Sequence, residues 1–316
     1  MTASEIPDDH PRPRRAVLLT NPRAQAVSRS LRRGVTAILS TALDVREVRT
    51  EGSGHATDVA RAAAAGGEVD VLVCLGGDGT LNEVVNGMAG SDLPLAVLPG
   101  GGANVMARSL GMPRDPVRAA RWLLPRLAGR PRRIPLGRVA GRYFASNCGL
   151  GFDAAVVRGV ERHPRLKRRL GEIAYVGEGL RVFFAGYDRA RAHVDISWGS
   201  ELEHRRNGLY LAIVQNIDPY TFLRGRGIRL CPQAGLEAGL DVFGLATMRT
   251  THVLGVLLSA MDLLPHGRPH VTSLSNQTRI GLRSDVPLPV QMDGEFVGER
   301  TQMIVESVPD ALSVLG

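Results

Sequence analysis

Lysine is nearly missing from this chain: Lys167 is the single one in 316 residues, so almost all of the 39 Lys+Arg positions are arginine. No glycine-rich loop is followed by the Lys-Ser or Lys-Thr pair of a Walker phosphate loop. Cysteine is scarce too. Cys74, Cys148 and Cys231 are dispersed, which excludes a zinc-ligand spacing, a paired redox motif and a disulfide-stapled mini-protein, and fits a reduced compartment. Aromatic residues make up 4%, too few for the aromatic-and-basic interleaving of a nucleic-acid groove. The longest apolar stretch, Val253 to Leu264, is broken by Asp262 and falls short of the ~20 residues a spanning helix needs. The first fifteen residues carry acids, prolines and arginines with no apolar segment ahead of a cleavage site. A cytoplasmic chain with at most peripheral membrane contact is expected.

What is present is a folded-protein composition, 44% hydrophobic and 22% charged, with a formal charge of +8. A guanidinium offers forked donors that match phosphate, so this surface suits phosphate-bearing partners. From Ala16 the pattern alternates: strand to Thr20, helix Ser28 to Thr41, strand Asp44 to Thr50, helix His55 to Ala65, buried strand Val69 to Leu75, helix around Leu81 to Met88, strand Leu95 to Leu98, helix Pro116 to Leu127. That series predicts an open α/β sheet with helices on both faces. The Arg- and Pro-rich stretch Arg126 to Pro135 breaks it. Beyond lie period-two segments: Arg142 to Asn147, Ala192 to Trp198, Leu209 to Gln215, Leu240 to Thr247, Val271 to Leu282, Val290 to Val297 and Gln302 to Val308. Helices are expected at Gly171 to Ala185 and Thr251 to Leu264. The expectation is an α/β domain over 1–132, rejoined by 303–316, and a β-rich, sandwich-like domain over 133–302.

The strongest local signal is Gly76-Gly77-Asp78-Gly79-Thr80-Leu81-Asn82, where a buried strand gives way to an amphipathic helix. Ligands of open α/β sheets bind beyond the carboxyl ends of the strands. Glycines there let the backbone turn and approach a ligand, and the N–H groups of a helix start attract anions. This is a phosphate cradle without the spacing of a dinucleotide fingerprint.

That junction resembles the nucleotide-binding signature shared by diacylglycerol, sphingosine, ceramide and NAD kinases and, more remotely, phosphofructokinases. Further segments are similar to the bacterial diacylglycerol kinase family: Asn21-Pro22; Thr50 followed by Gly54-His55-Ala56; Leu98-Pro99-Gly100-Gly101-Gly102-Ala103-Asn104-Val105; Asn147-Cys148-Gly149-Leu150-Gly151-Phe152-Asp153-Ala154; and Asp293-Gly294-Glu295. They run in order from about Ala16 to Gly298, and NAD kinases lack the C-terminal series. Five positions depart: Ala24 and Gln25 replace the serine and glycine that usually follow Asn-Pro, and three more lie further on. Gly102 and Val105 stand where the family has a threonine and an aspartate, and Ala238 stands where an aspartate holds a structural Mg²⁺, a site expected to be absent here.

The resemblance implies an ATP- and Mg²⁺-dependent lipid kinase, with diacylglycerol the first candidate and a sphingoid base, ceramide or glycolipid the alternative. A catalytically silent nucleotide- or lipid-binding protein is the third reading. Nucleotide contacts are expected from Asn21, Pro22, Thr50, Gly76, Gly77, Asp78, Gly79, Thr80, Leu81, Asn82, Gly102 and Asn104, with Asp78 also on the metal. Glu295, Asp293 and Asp78 are the catalytic candidates, Glu295 being favoured as proton acceptor. Two residues apart on one strand, Asp293 and Glu295 would point the same way, whereas a turn at Gly294 would separate them. Implied partners are nucleotide, a lipid at an anionic membrane surface and, as an oligomeric option, a second copy of the chain; no nucleic acid is expected. The basic run Arg162, Arg165, Lys167, Arg168, Arg169 beside the apolar segment Tyr175 to Phe184 could dock on anionic lipid or simply be a solvated helix face.

Overall fold

A computed structural model describes residues 14–24, 27–163, 171–266 and 269–316. The N-terminal half runs β1 (Arg14–Thr20), α1 (Arg29–Leu39), β2 (Leu43–Arg49), α2 (His55–Gly66), β3 (Val71–Gly76), α3 (Asp78–Met88), β4 (Leu95–Pro99), α4 (Val105–Ser109) and α5 (Pro116–Leu123). Its strands pair in parallel, β2-β1-β3-β4. β3 and β4 are buried throughout, which is why their sequences read as unbroken apolar runs. Ser28 caps α1 by accepting the Leu31 N–H, and Asp115 caps α5 ahead of Pro116.

The second half comprises β5 (Arg132–Val139), β6 (Arg142–Phe144), β7 (Asn147–Gly151), α6 (Phe152–Glu161), α7 (Glu172–Arg181), β8 (Val194–Trp198), β9 (His204–Leu209), β10 (Leu211–Gln215), β11 (Thr221–Leu223), β12 (Arg226–Ile228), β13 (Leu240–Leu245), α8 (Thr250–Ala260), β14 (Val271–Gln277), β15 (Arg279–Met292) and β16 (Glu295–Leu315). Apart from the small β11–β12 hairpin, one sheet passes through both halves in the order β14-β13-β10-β7-β15-β16-β4-β3-β1-β2. β16 is the splice. Its early residues pair antiparallel with β15, its middle and end with β5, and Val314 and Leu315 pair in parallel with Leu95 and Ala96 of β4.

One core fills the α/β part. Two more lie on opposite faces of the β-rich part, and β10 shows how: Ala212 and Val214 face one core, Leu211 and Ile213 the other. Three local expectations change. Arg142 to Asn147 divides into β6 and the start of β7, and Asn147 to Gly151 is a strand although two glycines dilute its apolar signal. Phe152–Glu161 is a helix that the sequence pattern had not suggested. Val271 to Leu282 breaks at Thr278 into β14 and β15. Of the basic run, Arg165 to Arg169 lies outside the described residues.

Candidate active site

The carboxyl ends of β1, β3 and β4 meet the β15–β16 hairpin in a cleft. Asn21, just past β1, donates from Nδ2 to Thr80 Oγ1 at 2.8 Å and accepts the Arg23 N–H at 2.9 Å, tying the end of β1 to the first turn of α3. That helix starts at Gly77 with no side-chain cap, so it offers its first N–H groups to an anion. Thr50 ends β2 with its N–H on the Thr20 carbonyl at 2.9 Å. Pro22 lines a cavity of about 190 Å³ with Arg29, Arg32 and Arg49, three cations that motif reading passed over because arginine is everywhere in this chain.

Two glycine loops pack back to back. A Cβ on Gly101 would lie 2.6 Å from Gly77 Cα, one on Gly100 would lie 2.9 Å from the Gly76 nitrogen, and the Gly100 N–H bonds the Gly76 carbonyl at 2.8 Å. At Gly77, Gly100 and Gly101 glycine serves loop-against-loop contact, whereas a Cβ on Gly76 would meet the Thr80 side chain. Gly79 differs, because its missing Cβ faces Glu295 Oε1, 2.6 Å from where it would stand. Asp78 locks the pair of loops: Oδ2 accepts the Asn104 N–H at 2.9 Å and Oδ1 the Val105 N–H at 2.7 Å. Asn104, in the left-handed region at φ 48°, folds its own loop by accepting the Gly101 and Gly100 N–H groups and donating to the Gly101 carbonyl. Gly102 is exposed at the loop, and Val105 is buried.

Asp293 (φ 49°) and Gly294 (φ 79°) make the two-residue turn between β15 and β16, both with the positive φ of a type I′ hairpin. The turn sends the two carboxylates apart. Asp293 accepts the N–H groups of Ala145, Ser146 and Asn147 at 2.8, 2.7 and 3.1 Å and the Asn82 amide at 2.8 Å. Glu295 reaches the cleft, with Oε2 2.9 Å from Arg142 Nη2 and Oε1 against Gly79. Arg142 also donates to Asn82 Oδ1 at 3.0 Å.

Two of the expected nucleotide contacts lie elsewhere. Leu81 is in the α/β core, 4% exposed, with its N–H on the Gly77 carbonyl. Asn82 is buried, and its amide is occupied by Asp293, Arg142 and the Tyr143 carbonyl, so it bridges the two halves. The helical period explains both: consecutive letters of a motif cannot all face one cleft once the helix has begun. Gly76, Gly77, Asp78, Gly79, Thr80 and Asn104 are brought together as expected. A second polar network, in which Asp153 accepts from the Tyr220 hydroxyl and Gln291, and Gln291 also donates to Asn147, stands behind the hairpin.

Burial pushes the Asp78 carboxyl up to about 6, opposed by the Val105 N–H and assisted by the charge of Asp293. Burial likewise raises Asp293 against its N–H donors, and Glu295 against the Arg142 guanidinium. Three carboxylates with raised values around a phosphate cradle are hard oxygen donors, and Mg²⁺ is held by one or two carboxylates together with phosphate oxygens. Asp78 fits that role, since each of its oxygens keeps a lone pair beyond its one N–H bond. The Pro232 to Asp241 loop does not fit a structural Mg²⁺: Ala238 brings no side-chain oxygen, Glu237 turns to solvent 3.6 Å from Arg132, and Asp241 accepts the Asn276 N–H. Among the described residues no helix is long and apolar enough to cross a membrane.

An α/β cradle closed by a carboxylate from a β-sandwich-like domain defines a two-domain kinase architecture. Residues 15–139 match the diacylglycerol kinase catalytic domain and residues 146–316 the YegS C-terminal NAD kinase beta sandwich-like domain. The chain belongs to the lipid kinase family that joins these two domains. A Pseudomonas aeruginosa PAO1 protein described as a "Probable lipid kinase YegS-like" is 32% identical over 94% of this chain and 93% of its own. The Bacillus subtilis strain 168 diacylglycerol kinase is 29% identical over 78% and 77%. A solved Bacillus anthracis str. Sterne structure described as a diacylglycerol kinase shares the fold, with a TM-score of 0.71 over 96% of this chain and 97% of that one at 18% identity.

Proposed function

We propose that this protein transfers the γ-phosphoryl group of ATP to a lipid hydroxyl, diacylglycerol giving phosphatidic acid being the first reaction to test. The observation that carries the reading is Glu295 Oε1 against the Gly79 backbone, a carboxylate at the mouth of the phosphate cradle. Phosphoryl transfer needs positioning, charge neutralisation and a proton acceptor. Asn21, Thr80 and the first turn of α3 orient the phosphates, and Asp78 holds the two glycine loops in register beneath them. Mg²⁺, when bound, would neutralise the phosphate charge, and Asp78 would be its protein carboxylate. Glu295, held by Arg142, accepts the proton of the attacking hydroxyl; its raised value brings it nearer to working pH. Asp293 positions the hairpin that carries Glu295.

The test is mass spectrometry of diacylglycerol, a sphingoid base, ceramide and a glycolipid, each incubated with protein and Mg-ATP. Addition of a phosphate to diacylglycerol is the expected result, and addition to another member names the alternative acceptor. Nucleotide binding with no phosphorylated lipid would sink the kinase reading and leave a silent binding protein, which the substitutions at Gly102 and Val105 would then explain.

A further inference from the structure

Of the ten large apolar side chains exposed among the described residues, eight lie on α7, α8 and the turns that follow them. On α7 and its continuation, Ile173, Val176, Leu180 and Phe184 recur at helical spacing and are 45 to 62% exposed. They stand opposite the buried row Ala174, Glu178 and Val182, so they point straight away from the molecule. The inward face joins a glutamate, bonded by Arg181, to Ala174 and Val182, and the outward face too is aliphatic and aromatic. On α8 the buried residues are Gly255, Ser259 and Ala260, and Leu254 and Leu257 face outward. Both helices cover the same core on the Leu211–Ile213 and Phe243–Leu245 side of the sheet, Phe183 from one and Val253 and Val256 from the other. Their outward rows therefore belong to one side of the protein.

Two exposed guanidinium groups edge these rows. Arg189 lies 4.6 Å from the Phe183 ring centroid and 5.7 Å from that of Phe184, at the edge of the apolar row. Arg249 is exposed at the start of α8, where the helix dipole disfavours a cation, so its charge does not serve the helix. Of the nearby carboxylates, Glu178 is paired with Arg181 and Asp285 with Arg191, whereas the side-chain partners of Asp188 and Asp262 are the imidazoles of His193 and His266. Outward apolar rows edged by unneutralised guanidinium groups are the pattern of helices that lie in a bilayer interface and favour anionic headgroups.

We propose that the outward faces of α7 and α8 are a docking surface for an anionic lipid bilayer. The choice of a bilayer over a protein partner rests on the lipid-kinase reading; the geometry and the charge do not.

The test is flotation with vesicles of phosphatidylglycerol and phosphatidylethanolamine, which needs no turnover and so answers even if no lipid is phosphorylated. Wild type should float with these vesicles, less so at high salt. The pairs Leu180→Glu with Phe184→Glu and Leu254→Glu with Leu257→Glu should each lower the bound fraction at least ~10-fold, because they place charge where the interface needs apolar area. Arg189→Glu with Arg249→Glu, which leaves the apolar rows intact, should lower it on anionic vesicles only. Circular dichroism melts and, where wild type is active, turnover of a water-dispersed short-chain diacylglycerol should be unchanged in every variant. Failure of wild type to float, or unchanged flotation of the apolar variants, would overturn the proposal. So would a wild-type dimer that the variants dissociate without loss of flotation, since the face would then join two copies.

Discussion

The two glycine loops and the Asp-Gly-Glu hairpin face each other across one cleft and are built in opposite ways. The loops are shaped by backbone: three glycines allow contact between main chains, and Asp78 and Asn104 spend their side chains on N–H groups of the same loops. The hairpin supplies side-chain charge, with Asp293 turned inward to hold the turn and Glu295 turned outward to the cleft. The contrast teaches that neighbouring carboxylates in one motif can be given separate surroundings, one among backbone N–H groups and one at the cleft.

The largest expected effect follows from that separation. Glu295→Gln should lower turnover by ~10²–10⁴-fold with nucleotide affinity intact, read by steady-state kinetics and calorimetric titration. Asp293→Asn puts an amide where backbone N–H groups require an acceptor and should cost about 1–3 kcal/mol of stability by denaturant unfolding. If Asp293→Asn were stable but inactive and Glu295→Gln nearly normal, the duties would be reversed. A second pair probes the loops. Gly101→Ala drives a methyl into the Gly77 backbone and should cost ~1–3 kcal/mol, whereas Gly79→Ala meets the movable end of Glu295 and should lose activity with little change in melting temperature. Equal effects on stability would mean that the two glycines do the same work.

A smaller effect comes from titration. With a folded value of about 6 against an ordinary 3.8, Asp78 favours folding most when protonated, and that contribution is lost as pH rises through about 6. The stability of wild type relative to Asp78→Asn should therefore fall between pH 4 and 7, by at most about 3 kcal/mol. A flat difference over that window would show that the carboxyl is not held in a low-dielectric setting. The smallest effect concerns metal: without nucleotide, millimolar Mg²⁺ should scarcely move the melting temperature, because the Ala238 loop offers it no carboxylate cage. A rise of several degrees would locate a cation site that the geometry does not show.

The cradle was legible because its chemistry depends on adjacent letters at a strand-to-helix junction. Arg142 was not, since it is one arginine among many and acquires meaning only when β6 sets it against Glu295. Asn82 was assigned to the nucleotide on its place in the motif, yet its main partner, Asp293, lies in the other half of the chain. No local pattern encodes that distance. Whether Asp293 and Glu295 point the same way was open in the sequence, and the two positive φ values of the turn separate them. The helix after Gly151 escaped because its strand-to-helix junction carries two glycines and a single residue, Gly151 at φ 94°, marks the break.

β16 has a consequence for synthesis. The free edge of β4 is covered by Val314 and Leu315, which are translated only after the whole β-rich half. At roughly 5–20 residues per second, the nascent α/β layer waits on the order of tens of seconds with that edge open. An uncovered edge strand is a template for pairing with another chain. The protein should therefore be most prone to aggregate while it is being made, and a chaperone that shields β4 should raise its yield more than any improvement of the finished core.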